Sequence, residues 1–323
     1  MKWTERATKL LHKAQRLRYP KRFRHMASCP RGLDFGPVDP GSDARDILWK
    51  KRVVGRLGCR HALRASARGP CFVVGTGPSL QNENLAALAG IPTFGVNGAI
   101  LKFLTDGVPP TYYTITDPDF FRNRFEIVRR VIDSGAACFF SGEGIGHICE
   151  RDPNVLRHGR IYLSEVVNRR WRVPRLTPSA FDEAASRDPD FELHPTVPPQ
   201  NGLVGFSRDL RQGLFCGRTI GYRAIQISYF LGFRRVFLLG MDMSSEGRKV
   251  RFYETLAEGR PSLLEKDFEP YILPCFEIVR RLRVAGELEV YNCSPTSRLP
   301  PEVTPRLSFE EARAMCIAMK NVA

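Results

Sequence analysis

From residue 70 onward the chain alternates between short apolar runs and longer stretches with a helical period. Cys71–Val74, Pro92–Val96, Tyr112–Thr116 and Ala137–Phe140 are runs of strand length, and Arg160–Leu163 reads as a fifth. Continuous apolar runs of this length mark strands buried on both faces. Between them lie a short helix at Asn84–Ala89 and an amphipathic one at Phe120–Ile132, with Phe121, Phe125, Val128 and Ile132 on one side. The rhythm stops over residues 164–216, which hold Trp171, many prolines and no clear period. A stretch of that kind is expected to be a lid-like or acceptor-binding insertion, with a plain surface excursion as the alternative. Regular structure resumes with a helix at Thr219–Leu231, closed by Gly232, and a strand at Val236–Leu239. A helix across Leu263–Leu282, capped by Ser262 and broken near Pro270 and Pro274, comes next. A strand at Leu288–Tyr291 and a helix at Ser308–Met319 end the chain. The alternation predicts an α/β fold: a Rossmann-like, mostly parallel sheet with helices on both faces.

In such sheets ligands bind outside the carboxyl ends of the strands. The first strand runs into Gly75-Thr76-Gly77-Pro78-Ser79. Glycine lets a backbone approach a ligand closely, and amides at a strand-to-helix turn attract an anion, typically a phosphate. Pro78 and Ser79 break the Gly-x-Gly-x-x-Gly spacing, so this is not the dinucleotide fingerprint. An ordinary tight turn with nothing bound is the plainer reading. The next two strands end on Asn97-Gly98 and Asp117-Pro118-Asp119, and the three ends are expected to share one crevice. Later strands end on Gly240-Met241-Asp242 and on Asn292-Cys293-Ser294-Pro295-Thr296-Ser297.

Residues 1–69 lack this rhythm and are expected to form a basic helical extension to a main domain over 70–323. Lys2, Arg6, Lys9, Lys13, Arg16, Arg18, Lys21, Arg22 and Arg24 face a single acid, Glu5, within the first 25 residues. Trp3, Leu10, Leu11 and Leu17 suit one side of a first helix, and a Pro- and Gly-bearing loop runs from Pro30 to Gly41. A second basic helix is expected from Asp43 to Arg68, with Ile47, Leu48, Val53, Val54, Leu57 and Leu63 as its apolar face. The whole chain of 323 residues carries a net charge of +15. Such a charge attracts anionic partners, here phosphorylated substrates or an acidic membrane surface, near which each basic residue adds about 1 kcal/mol. Nucleic acid is not expected, because no zinc finger, basic zipper or aromatic RNA-binding signature is present. The apolar runs fall far short of the roughly 18 residues that span a bilayer, and no secretory signal is visible. The expected location is cytoplasmic, peripheral at the inner face of the cell membrane. Nine cysteines are scattered singly without a Cys-x-x-Cys pair, which fits reduced thiols and no zinc site.

Taken in order, Gly75-Thr76-Gly77-Pro78-Ser79-Leu80, Asn97, Asp117-Pro118-Asp119-Phe120-Phe121, the run Thr219–Asp242 and Tyr291–Ser297 carry a resemblance. The chain resembles bacterial sialyltransferases of glycosyltransferase family 42. It also resembles the related domain of flagellin-modifying glycosyltransferases and hydroxymethylpterin diphosphokinases, over about residues 70–300. The resemblance implies a glycosyltransferase that moves a sugar, sialic acid or a related nonulosonate, from a CMP-linked donor to a cell-surface glycan or glycolipid, with inversion and without a metal or other cofactor. It implies that Gly75, Thr76, Gly77, Pro78 and Ser79 lie against the nucleotide phosphate, and that Asn97 and Asp117 sit beside the donor. It places Thr219, Ile220 and Gly221 near the donor, and Ser294, Pro295, Thr296 and Ser297 around the base. Arg218 lies one position from the family's donor-carboxylate arginine. A homo-oligomer is left open.

The departures concern catalysis. Thr76 and Asp117 stand where the family has asparagine, and the family's catalytic histidine would fall at Glu265-Lys266-Asp267-Phe268-Glu269. Ser244 holds the place of one leaving-group tyrosine, and Tyr253 approximates the other. His147, His158 and His194 are expected to be incidental. Inverting transfer still needs a base for the acceptor hydroxyl and groups that receive the departing phosphate. Asp242 is the first candidate base and Asp117 the second, with a structural role for Asp242 as the alternative. Asp117-x-Asp119 also has the form of a Mg²⁺-binding pair. This keeps open a Mg-dependent diphosphokinase of the pterin type using ATP. A catalytically degenerate nucleotide-binding protein is the other rival.

Overall fold

The computed structural model describes residues 17, 19–243, 251–253 and 263–320. The first expected basic helix, Ser244 and the Ser262 cap lie outside these residues. The fold is α/β, with a ten-stranded sheet among the described residues. Its strands are β1 (Leu33–Phe35), β2 (Arg45–Trp49), β3 (Arg52–Leu57), β4 (Pro70–Val74), β5 (Thr93–Val96), β6 (Tyr112–Ile115), β7 (Ala137–Phe140) and β8 (Arg160–Leu163), then β11 (Arg235–Leu239) and β12 (Glu289–Asn292). The order across the sheet is β1-β2-β3-β8-β7-β6-β5-β4-β11-β12. All neighbours from β3 to β12 are parallel, while β1-β2-β3 is an antiparallel meander.

Both sheet faces are covered, which is why the strands read as unbroken apolar runs. Phe72 and Val74 of β4 pack into one buried cluster, and Cys71 and Val73 into the other. The helices on the two faces follow the expected periodicity. The predicted helix at 120–132 is two, Pro118–Asn123 and Phe125–Asp133, hinged at Arg124. The late helix runs as Leu264–Asp267, a π turn at Phe268–Ile272 that contains Pro270, and Leu273–Val284. A proline ring and its missing N–H disturb the helical ladder there. No helix among the described residues is long and apolar enough to cross a membrane.

Residues 164–216 are a packed insertion. They form a helix at Pro178–Arg187 and a small hairpin, β9 (Phe191–Glu192) with β10 (Phe206–Ser207). Val167, Phe181, Val204, Phe206 and Phe215 are buried in the same cluster as the helix Ile220–Leu231. Aromatic anchors from a polar, proline-interrupted sequence hold it down, which is why no period shows in the residues.

The expected helix from Asp43 to Arg68 is a correction: this stretch is the β2–β3 hairpin followed by a short 3-10 turn. Ile47, Val53 and Val54 are β-branched, which favours a pleated surface. The connection is two residues long, with Trp49 facing Arg52 and both lysines between them left-handed, Lys50 at φ 49° and Lys51 at φ 67°. Two-residue hairpins require that conformation and normally signal it with Asn-Gly; Lys-Lys gives no such signal. The Asp43 carboxylate accepts from Arg60 Nε at 2.5 Å and from the Arg60 backbone N–H at 2.6 Å, pinning the hairpin's outgoing end.

A left-handed non-glycine residue costs about 1–2 kcal/mol. Lys51→Gly should therefore stabilise the protein by about 0.5–1 kcal/mol after the unfolded-chain entropy of glycine is counted. The expected observation is a higher urea midpoint at unchanged slope.

Candidate active site

The chain leaves β4 in one direction across the sheet, toward β5, and leaves β11 in the other, toward β12. Two neighbouring parallel strands whose connections diverge open a crevice at their carboxyl ends. Here the two turns interlock. The Gly75 N–H donates to the Leu239 carbonyl at 2.7 Å and the Gly77 N–H to the Gly240 carbonyl at 2.8 Å. The Ser79 N–H donates to Asp242 Oδ2 at 3.0 Å. A Cβ at Gly75 would overlap the Gly240 carbonyl, and one at Gly77 would overlap the Asp242 carboxylate. The glycines thus admit the β11 turn, and the three amides expected to face a phosphate are engaged inside the protein.

Ser294 and Ser297 brace the same turn from behind. The Met241 N–H donates to Ser294 Oγ at 2.8 Å, and Ser297 Oγ–H donates to the Met241 carbonyl at 2.8 Å. Both serines are buried.

In front of the turns lies a cavity of about 490 Å³. Gly75, Thr76, Gly77, Asn97, Asp117, Arg218, Thr219, Ile220 and Asp242 all line it, so the ends of β4, β5, β6 and β11 do converge. Pro78, Ser79, Gly221, Tyr253 and Ser294 to Ser297 do not line it. Tyr253 packs its ring over Gly98, where a Cβ would overlap it, and lies 5.3 Å from the Arg124 guanidinium. Asp117 caps the helix Pro118–Asn123, its carboxylate accepting the Asp119 N–H at 2.9 Å. Asp119 itself pairs with Arg122 at 3.0 Å outside the cavity lining, so the Asp-x-Asp pair does not converge.

Three features set this cavity apart as the candidate site. Asn97, Arg218 and Met243 are lining residues held left-handed, at φ 48°, 53° and 56°; such backbone strain collects at functional sites. Asn97 Oδ1 and Asp242 Oδ1 are buried without a hydrogen-bond partner among the described residues, and Asp242 is only 6% exposed. The helix Ile220–Leu231 begins here with no side-chain cap on its first amides, so the positive end of its dipole meets the cavity.

The residue that the motifs missed is Arg223. It sits in the first turns of that helix, is 5% exposed and lines the cavity. Its Nε is buried without a hydrogen-bond partner among the described residues. Burial pushes its guanidinium below the ordinary arginine value; the Cys216 thiol counters this and the Arg169 charge adds to it. Arginine stays charged at any physiological pH, so that direction measures a cost. No carboxylate forms an ion pair with it among the described residues. Arg218 differs: it is half exposed, 3.9 Å from Asp267 and 5.2 Å from the Tyr271 ring. The sequence signal is a lone charge within Ile220-Gly221-Tyr222-Arg223-Ala224-Ile225, a helix start otherwise without charge. Asp267 also lines the cavity and is the one acid of the stretch 265–269 to do so.

A second cavity, of about 500 Å³, adjoins the first and shares Thr116 and Arg223 with it. It lies over the ends of β7 and β8, where Ser141 and Ser164 line it, and its outer walls are Arg24 to Cys29 and the insertion residues Arg169, Trp171 and Arg175. His147, His158 and His194 line neither cavity.

The chain is similar to several known proteins. Two curated relatives carry the description "Probable 3-deoxy-manno-octulosonic acid transferase". That of Escherichia coli (strain K12) is 23% identical over 239 residues, covering 74% of this chain and 82% of its own. That of Salmonella typhimurium is 24% identical over 241 residues, covering 75% and 87%. Among solved structures, a Maf glycosyltransferase from Magnetospirillum magneticum AMB-1 aligns with 97% of this chain and 42% of its own, at 14% identity and a TM-score of 0.46. The sialyltransferase CstII from Campylobacter jejuni aligns with 73% and 88%, at 13% identity and a TM-score of 0.39. The diphosphokinase alternative finds no support among them. The profile of the 3-deoxy-D-manno-octulosonic acid transferase WaaZ matches residues 59–310, most of the chain, and the protein is a glycosyltransferase belonging to this family.

Proposed function

We propose that the protein transfers 3-deoxy-octulosonic acid from a CMP-linked donor to a hydroxyl of a cell-surface glycan. The expected donor sugar changes accordingly: the relatives are octulosonic acid transferases by description, not sialyltransferases. Both sugars are 2-keto-3-deoxy acids, so either activated form brings a carboxylate and a phosphodiester to the site.

The observation that supports this reading is Arg223. A buried charge without a partner costs several kcal/mol, and an anionic ligand removes that cost. The first cavity is a crevice at a switch point with an uncapped helix start on one wall and Arg223 and Arg218 beside it. These are the groups that receive a departing phosphate. Asp242 is the base in this proposal. Its Oδ2 is fixed by the Ser79 amide while Oδ1 is unpartnered among the described residues. The acceptor hydroxyl gives its proton to Oδ1 as its oxygen bonds to the anomeric carbon. The bond from that carbon to the phosphate oxygen breaks, and CMP leaves with the electron pair. Asp267 serves as the counter-charge to Arg218.

Three outcomes are expected. In a thermal-shift panel of CMP, CDP, UDP, GDP and ATP, CMP should raise the melting temperature most; a larger shift with ATP would sink the proposal. Arg223→Met should lower kcat/KM by about 10²–10³-fold, the scale of losing one preorganised donor, while leaving the free protein as stable or more stable, since an unpaired buried charge has gone. A structural arginine would instead lower stability when removed. Asp242→Asn keeps an acceptor for the Ser79 amide and should cut kcat by about 10²–10⁴-fold with the CMP shift retained.

A further inference from the structure

The second cavity concentrates cationic and donor groups that the first does not need. Arg24, Arg169, Arg175 and Arg223 line it against two acids, Glu143 and Glu165. Both acids are committed elsewhere. Glu143 pairs with Arg122 at 3.2 Å. Glu165 lies 3.6 Å from Arg60 and accepts the Trp171 backbone N–H. Five polar side-chain atoms of lining residues are buried without a partner among the described residues: Arg24 Nε, His25 Nδ1, Ser164 Oγ, Trp171 Nε1 and Arg223 Nε. Ser164 is wholly buried and Arg223 nearly so. Unmet buried donors are rare, and each needs an explanation. Several such donors beside clustered guanidinium groups form a site that an anion completes.

We infer that this second cavity is a subsite for an anionic sugar unit of the acceptor, one that bears a carboxylate or a phosphate; the inference rests on the transferase reading above. A volume of about 500 Å³ suits a sugar unit or two. A planar guanidinium takes carboxylate and phosphate in the same bidentate manner, so the two ligand types share one chemistry here. Thr116 and Arg223 form the boundary between the cavities. A hydroxyl presented from the second cavity reaches the donor carbon across that boundary.

The test uses the full chain saturated with CMP. Free 3-deoxy-octulosonic acid, glucose 6-phosphate and glucose are titrated by calorimetry. The expected result is binding of at least one of the two acids and none of glucose, and the acid that binds names the anionic group. Arg169 is exposed on the cavity rim, so Arg169→Gln keeps the fold. It should weaken the acid about tenfold or more, as for a lost charge-assisted bond, with Arg169→Lys recovering part of the loss. Arg24→Gln should act in the same direction. Equal binding of glucose, no binding of either acid, or unchanged affinity in both glutamine variants overturns the inference. Failure of CMP to bind while an Arg169-dependent acid site persists would count against the transferase reading and not against the subsite.

Discussion

The contact between the β4 and β11 turns sets the geometry of everything around it. Three backbone amides of one turn are satisfied by two carbonyls and a carboxylate of the other, and the fit is close enough that two positions admit only glycine. Buried backbone donors must be paired, and here the pairing joins two strands that are adjacent in the sheet but far apart in sequence. The Asp242 carboxylate is thereby fixed in place, half used and half open. Ser294 and Ser297 hold the turn from the β12 side. Were Asp242 to act as the proposed base, it would gain from such immobility, because it must meet a hydroxyl within hydrogen-bond reach.

Much of this is legible in the residues. Runs such as Cys71–Val74 and Ala137–Phe140 are apolar throughout because both sheet faces are covered, and they read as strands with nearly the observed bounds. The strand-end motifs point to one crevice, and the ends of β4, β5, β6 and β11 line one cavity. The β2–β3 hairpin is hidden because its turn uses two lysines in a conformation that sequence patterns reserve for Asn and Gly. Its apolar residues then suit a helical face equally well.

The role of the Gly-x-Gly-Pro-Ser turn is harder to read. A glycine required for close approach looks the same whether the approaching group is a phosphate or another strand's turn. Only the fold shows that Gly240 and Asp242 occupy that space. Arg223 is concealed for the opposite reason. An arginine within an apolar helix start carries no motif, and its meaning comes from burial without a partner, which is a property of the surroundings and not of the residue.

That property also orders the two cavities. A guanidinium cannot shed its proton to escape a dry site, so it must share its charge with whatever enters. Arg223 borders both cavities, and Arg169, on the far side, already opposes its charge. Binding an anion in either cavity therefore lowers the cost of the arrangement and weakens the repulsion felt by the other guanidinium. In the proposed reaction a donor phosphate and an acceptor anion would draw on the same positive charge of Arg223, which lines both cavities. Full occupancy of one reduces what remains for the other, so the two ligands are expected to compete electrostatically for Arg223 even though they do not overlap.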